Sequence, residues 1–305
     1  MPEFIIKRVL QTLIVVFLAL TGVFFLVRLS GDPTILFLPP DAPKDQIAEY
    51  RHTLGFDRPL YVQYADYIIH VVQGDFGDSL VTKESALGRI LSSFPATLQL
   101  ALSAFVVSLV IAIPIGVLSA YKRNTWFDKF GVGLTVLGQA IPSFWLGLLF
   151  IYFFAVKLHW FPTGGRSASL SMILPTATLA IYSLARLVRF TRSKMLDVLK
   201  KDYIRTMKAV GVSTLEILTK YALKNALLPI ITLIALDLGA LLEGAVITEI
   251  VFSWPGIGMQ VMNALMSRDF PVVMAGIFVI SLIYSVINFA ADLLYSVVDP
   301  QIRLK

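Results

Sequence analysis

Three shortages mark this 305-residue chain: it has no cysteine, only three histidines, and charged residues make up just 15% of it. The missing cysteine excludes disulfide frameworks, thiolate metal sites and cysteine nucleophiles. His52, His70 and His159 are isolated from one another, so surface or interfacial roles suit them better than metal ligation. No Gly-x-x-x-x-Gly-Lys-Ser/Thr sequence occurs, so the chain is not expected to bind ATP alone. Neither a Gly-x-Ser-x-Gly elbow nor a His-Glu-x-x-His pair is present. With no catalytic constellation, metal site or cofactor motif, a non-enzymatic chain is expected.

What is abundant is apolar surface. Apolar residues make up 57% of the chain, against roughly 45–50% in soluble domains, where charged residues reach about 25%. Mean hydropathy is +0.77. The formal charge of +6 would suit a nucleic-acid partner only if it gathered on a water-soluble face. Here the basic residues punctuate long apolar runs, so the expected partner is a lipid bilayer and not nucleic acid.

A helix needs about 20 mostly apolar residues to cross the hydrocarbon core. Six windows qualify, at about 9–28, 96–120, 130–156, 167–186, 226–251 and 271–295. The second and third run without a charge until their ends. Pro114, Pro142 and Pro175 are expected to be tolerated because neighbouring helices can satisfy freed backbone groups. The first window follows Lys7 and Arg8, as in a signal peptide. It is too long for an h-region and no small-x-small site follows it, so it reads as a retained helix.

Lysine and arginine collect on the cytoplasmic side of membrane proteins. With both termini inside, that side receives 17 of the 26 basic residues, ten of them between Arg186 and Lys224. The fold class expected is therefore an all-α integral membrane protein of six transmembrane helices, one domain over 1–305, with both termini cytoplasmic.

Two segments lie outside the spans. The external stretch, about 30–95, holds nine acidic and five basic residues, so it is no polybasic tether. It contains two candidate helices. One starts near Pro43 and ends before Gly55, with Ile47, Tyr50 and Leu54 on one face; the other follows Pro59 and ends near Gly74, with Tyr64, Ile68 and Val72 on one face. They read as an amphipathic cap that either contacts an external partner or packs over the outer mouth. On the cytoplasmic side, Arg186, Arg189 and Arg192 share one side of the fourth span's end, where headgroup anchoring suits them. Asp197 to Val210 then reads as a helix that Gly211 can end, and Ser213-Thr214-Leu215-Glu216 has capping-box spacing for the next. Such a corner presents a short rigid helix to the cytoplasm.

The fifth span carries Asp237, Glu243 and Glu249, six residues apart. Six steps of about 100° rotate by 240°, so the three point in different directions and form no single proton wire. Ionisable groups inside a membrane suggest a pathway or a specific partner. Asp237, the deepest, either lines a substrate path or makes a hydrogen bond that fixes helix packing. Glu249 is near the outer end and is expected to reach water.

The segment Asp202-Tyr203-Ile204-Arg205-Thr206-Met207-Lys208-Ala209-Val210-Gly211-Val212-Ser213 resembles the cytoplasmic loop of binding-protein-dependent ABC permeases. In detail it is similar to the dipeptide/oligopeptide/nickel permease family of the DppB/OppB type. Further matches follow in that family's order: Gly31-Asp32-Pro33, Leu54-Gly55-Phe56-Asp57-Arg58-Pro59-Leu60, Gly74-Asp75-Phe76-Gly77, Thr191-Arg192-Ser193 and Asn225-Ala226-Leu227-Leu228-Pro229. Glu249-Ile250-Val251-Phe252-Ser253-Trp254-Pro255-Gly256-Ile257-Gly258, Arg268-Asp269-Phe270-Pro271-Val272 and Asp299-Pro300-Gln301-Ile302-Arg303 complete the series.

The resemblance implies a type I ABC importer permease. It implies a coupling loop at about 193–224 whose helix docks in a groove of an ATPase subunit. Two P-loop ATPases would bind ATP and Mg²⁺, a second homologous permease would complete a heterodimer, and an external binding protein would deliver the substrate. The residues it assigns to coupling are Asp202, Tyr203, Arg205, Thr206, Lys208, Ala209, Val210, Gly211, Val212, Ser213 and Glu216. The wider importer motif begins Glu-Ala-Ala where this chain has Arg205-Thr206-Met207, and its later proline falls at Lys224. The implied cargo is a peptide or peptide-sized solute, in a bacterial or archaeal cytoplasmic membrane. Two other classes compete from the residues alone: an autonomous proton-coupled carrier using Asp237 and Glu243, and a membrane scaffold without transport.

Overall fold

The computed structural model describes residues 2–29, 38, 42–53 and 55–298. Of the quoted motifs, Gly31-Asp32-Pro33, Leu54 and Asp299-Pro300-Gln301-Ile302-Arg303 lie outside the described residues. The described chain is helical, with one isolated antiparallel bridge between Asp78 and Ser85. In order the helices are α1 (Pro2–Leu29), α2 (Lys44–Thr53), α3 (Leu60–Val72), α4 (Ala86–Tyr121), α5 (Trp126–Ala140), α6 (Ser143–Phe150), α7 (Ile173–Leu199), α8 (Asp202–Ala209), α9 (Thr214–Glu216), α10 (Leu223–Val251), α11 (Ile257–Met266) and α12 (Phe270–Val298). Two wider π-turn stretches, Ile151–Lys157 and Ile217–Ala222, extend α6 and join α9 to α10.

Five helical stretches are long and apolar enough to span a membrane: Ile6–Leu29, Ala86–Tyr121, Ile173–Leu199, Thr214–Val251 and Phe270–Ala291. The sixth is broken. Trp126–Ala140 and Ser143–Lys157 meet at an angle of 105° where a single straight span over 130–156 was expected. The cause is local. Pro142 cannot donate a backbone hydrogen bond, and the residue before a proline is driven out of the helical region. Ile141 accordingly sits at φ −89°, ψ 125°. Pro175 breaks nothing, because it lies in the first turn of α7, where backbone donors have no intrahelical partner. The fourth span also runs later than its apolar window, over 173–199, which places Arg186 near its middle.

The chain divides into two compact units. The first comprises 1–96 and 255–285. Its core joins Phe24 and Val27 of α1, Ile90 of α4, Ile257 of α11 and Val273 of α12, with Tyr64, Tyr67 and Val71 of α3 packed against it. The two cap helices form as expected, each followed by a glycine at positive φ, Gly55 and Gly74. The buried face of α3 differs from the expected one. Val72 is 83% exposed, whereas Tyr67 stacks on Phe24 at 5.4 Å and the Tyr64 hydroxyl lies 2.6 Å from Thr21. The aromatic rings win the interior because they bury the larger area. On the outer surface His52 pairs with Asp57 at 2.6 Å, which holds the Asp57 carboxyl below its ordinary range.

Asp269, just before α12, is buried and anchors the 79–80 turn. It accepts from the Ser79 hydroxyl and, at 2.9 Å, from the Leu80 amide. Asp269→Ala leaves those two donors without an acceptor. At about 1–3 kcal/mol for each buried donor stranded, the variant is expected to show a clearly lower thermal midpoint in detergent, with Asp269→Asn intermediate.

The second unit comprises 97–254 and 286–305. Here α7 packs against α5, α6 and α10. The loop after α6 closes onto the end of α10: the Gly165 amide donates to the Phe252 carbonyl at 2.8 Å. A side chain at Gly164 would place its Cβ 2.2 Å from that carbonyl oxygen, so only glycine fits there.

Candidate functional site

Two features of the second unit carry chemistry. The first is the corner formed by α8, Gly211 and α9. Helix α8 starts at Asp202, not Asp197, because α7 runs on to Leu199 and the chain turns at Lys200 and Lys201. It ends in a complete Schellman arrangement: the Gly211 amide bonds the Lys208 carbonyl at 3.2 Å and the Val212 amide bonds the Met207 carbonyl at 3.0 Å. Gly211 has φ +84°, which L-residues rarely adopt. The Ser213 hydroxyl then accepts from the Glu216 amide at 3.3 Å, capping the next helix. The reciprocal half of the capping box is replaced, since the Glu216 carboxylate takes Lys220 at 3.1 Å.

Sidedness of the corner follows from packing. Ile204 is fully buried, and Tyr203, Met207 and Val212 pack beside it against Met195, Ile217 and Leu218. Asp202, Arg205, Thr206, Lys208, Ala209, Gly211 and Ser213 face outward. Val210 and Leu215 stand out with them, 72% and 73% exposed. Met207, in the alanine position of the wider motif, therefore turns its bulk into this chain's own core and keeps it off the outer face. A short helix with an apolar tip, held by three local hydrogen bonds, is a preformed contact surface.

The second feature is a cavity of about 540 Å³ at the Ile141–Pro142 break, walled by α5, α6, α7 and α10. Asp237 and Glu243 both line it and Glu249 does not. Two carboxylates about 120° apart around the helix share it because the cavity spans two adjoining faces of α10. Asp237 is 1% exposed: Ser183 donates to one carboxylate oxygen at 2.5 Å, and the Arg186 guanidinium forms an ion pair with the other. Glu243 is exposed. Glu249 does not reach water as expected; it is completely buried.

The three arginines of α7 also depart from expectation. Rather than anchoring at headgroups, Arg186 takes Asp237 of α10 and Arg189 donates to Gln139 of α5. Arg192 forms a two-armed bond with Asp128 of α5, at 2.5 and 2.7 Å. Spacing of three residues puts them along one side of α7, and that side faces the neighbouring helices. For the Arg186–Asp237 pair the sequence signal is the buried acid itself, since a carboxylate deep in an apolar span requires a counter-charge. Nothing local said which arginine would supply it.

Residues 112–304 match the family described as binding-protein-dependent transport system inner membrane component. Residues 1–101 match the N-terminal membrane component of the same kind of transport system. The glutathione transport system permease protein GsiC of Salmonella typhimurium is 39% identical over 306 residues, covering 100% of both chains. The Escherichia coli K12 protein of that name is likewise 39% identical over full length. Among solved structures, an inward-facing MetNI methionine ABC transporter chain superposes with a TM-score of 0.55 at 19% identity. The match covers 69% of this chain and 96% of that one.

Proposed function

This chain belongs to the family of binding-protein-dependent transport system inner membrane components, and from that premise we propose a cargo, an assembly and a division of labour. The chain is a multi-pass inner-membrane permease subunit of a binding-protein-dependent ABC importer, with the type I permease fold. Its cargo is glutathione or another small peptide, the class named for relatives that match it from end to end. A second, homologous permease supplies the other half of the path, and both termini lie in the cytoplasm, as the basic residues favour.

The observation that carries the assembly is the exposed, rigid α8–Gly211–α9 corner on a chain that has no P-loop. Energy must come from a partner, and the corner is the surface built to receive it. Asp202, Arg205, Thr206, Lys208, Ala209, Val210 and Ser213 meet the ATPase. Tyr203 and Val212 hold the helix to the body, and Glu216 secures the following turn through Lys220. ATP and Mg²⁺ are bound by the two ATPase partners, and this chain is non-catalytic. Cargo passes by the cavity at the Pro142 break, where Glu243 offers a carboxylate to a substrate ammonium while Asp237 holds Arg186 in place.

The test is mild-detergent purification of the tagged chain from its own membrane, followed by reconstitution. Co-purification of P-loop ATPases and a second permease, with ATP-dependent glutathione uptake in the presence of the binding protein, is the expected result. Uptake by the chain alone, driven by a pH gradient without ATP, would overturn the reading.

A further inference from the structure

Beside the corner lies a smaller pocket of about 180 Å³, to which the ATPase-facing Lys208 contributes one wall. It sits where α4 and α7 end, under α8, and its charged lining residues are Arg123, Lys200 and Lys208. No carboxylate lines it. The acids nearby have other partners: Asp128 takes Arg192, Asp202 takes Arg205 and Glu216 takes Lys220. Asp197 is exposed and outside the lining. Among the described residues the three cations have no ion pair within 4 Å, although Arg123 is near enough to Asp128 to attract its carboxylate.

Helix ends account for only part of this charge. Arg123 and Lys200 follow the C-termini of α4 and α7, and Lys208 is in the last turn of α8. Each helix end carries roughly half a negative charge, about −1.5 in all against +3, leaving an excess of about +1.5. That excess suits a phosphate, which carries one to two negative charges. The remaining walls are Ala120, Tyr121, Leu196, Leu199, Ile217 and Leu218, together with Thr214. The apolar run of α4 stops at Ala120, so Tyr121 and Arg123 lie at the boundary between hydrocarbon and headgroups, where tyrosine collects. The volume holds a phosphate and the first carbons attached to it, but not a nucleotide.

We propose that Arg123, Lys200 and Lys208 form a phosphate site that takes the headgroup of an anionic phospholipid against the underside of α8. The proposal does not rest on the transport reading. It ties the position of the exposed corner to the charge of the surrounding lipid, because the lipid would bridge Lys208 of α8 to the ends of two spanning helices.

Native mass spectrometry of the full-length chain, titrated with phosphatidylglycerol and separately with phosphatidylcholine, tests it. One phosphatidylglycerol is expected to bind well ahead of phosphatidylcholine. Arg123→Gln, Lys200→Gln and Lys208→Gln should each weaken it about fivefold, and the triple exchange on the order of a hundredfold. Lys200→Arg should keep it. The single exchanges are at exposed positions and decide the matter should the triple variant fail to fold. Millimolar inorganic phosphate that binds as tightly, and is lost in the same variants, would support the site with free phosphate as its source. Equal phosphatidylglycerol binding by wild type and variants would overturn it. So would unchanged lipid binding with loss of a co-purifying ATPase, which assigns the cations to an acidic protein face.

Discussion

Asp237→Ala is expected to destabilise the protein by about 3 kcal/mol, the low end of the cost of breaking a buried ion pair. The low end applies because Arg186 is 31% exposed and opens onto the cavity, whereas Asp237 is 1% exposed. Most of that cost is the charge left on Arg186, and the Ser183 hydroxyl loses its acceptor as well. The paired exchange Arg186→Met with Asp237→Leu should therefore recover most of the stability lost in the single variant. Thermal unfolding in detergent of wild type, Arg186→Met, Asp237→Leu and the double variant measures the coupling. Transport by the recovered double variant then separates two roles. Uptake near wild type means the pair only fastens α7 to α10, and uptake lost in a well-folded double variant means that the charges serve the path. A double variant no more stable than Asp237→Ala would contradict the charge-pair account.

Gly211→Val should abolish coupled transport, by tenfold or more, while the protein still reaches the membrane at normal level. A Cβ at this position meets nothing within 4 Å, so the effect cannot come from crowding. It comes from φ +84°, a conformation that costs an L-residue about 1–2 kcal/mol and a β-branched one more. Val210, Gly211 and Ser213 at the turn itself are exposed, with no packing there to hold the strained conformation, so the turn relaxes and the tip at Val210 moves away. Gly211→Asn is the control, because asparagine tolerates the left-handed region and should retain most uptake. Measurements of uptake and of ATPase activity in the reconstituted complex check both. Full uptake by Gly211→Val would rule out the corner as the coupling element.

The corner was legible in the sequence because everything that makes it lies within about a dozen residues: a helix, a glycine, a serine cap. The spans were legible for a similar reason, since hydropathy is a local sum. What failed were the places where one local rule met a distant partner. Pro142 had been expected to pass unnoticed in a charge-free run, yet the backbone restriction before proline prevailed and the span broke. The end of the fourth span was set too early because Arg186, Arg189 and Arg192 looked like an exit from the membrane. They stay within α7 because Asp237, Gln139 and Asp128, on two other helices, satisfy them. Likewise Val72 was given a packing face that α3 awards to Tyr67. Alternation and periodicity locate a helix but do not say which neighbour it will meet.

The arginine ladder of α7 also bears on how the protein is made. Its most apolar 18-residue window has a mean hydropathy of 1.2, against 2.1–2.6 for the windows of the other four unbroken spans. One arginine near the centre of a helix costs roughly 2.5–3.5 kcal/mol when the translocon releases that helix into lipid. Asp128 and Gln139 have already been synthesised when α7 emerges from the ribosome, but Asp237 lies 51 residues downstream of Arg186 and is still to be made. Helix α7 is thus the least apolar of the five unbroken spans. Its arginines are therefore expected to be matched in two stages, by α5 first and by α10 only once Asp237 has been made, which favours insertion of these helices as a group.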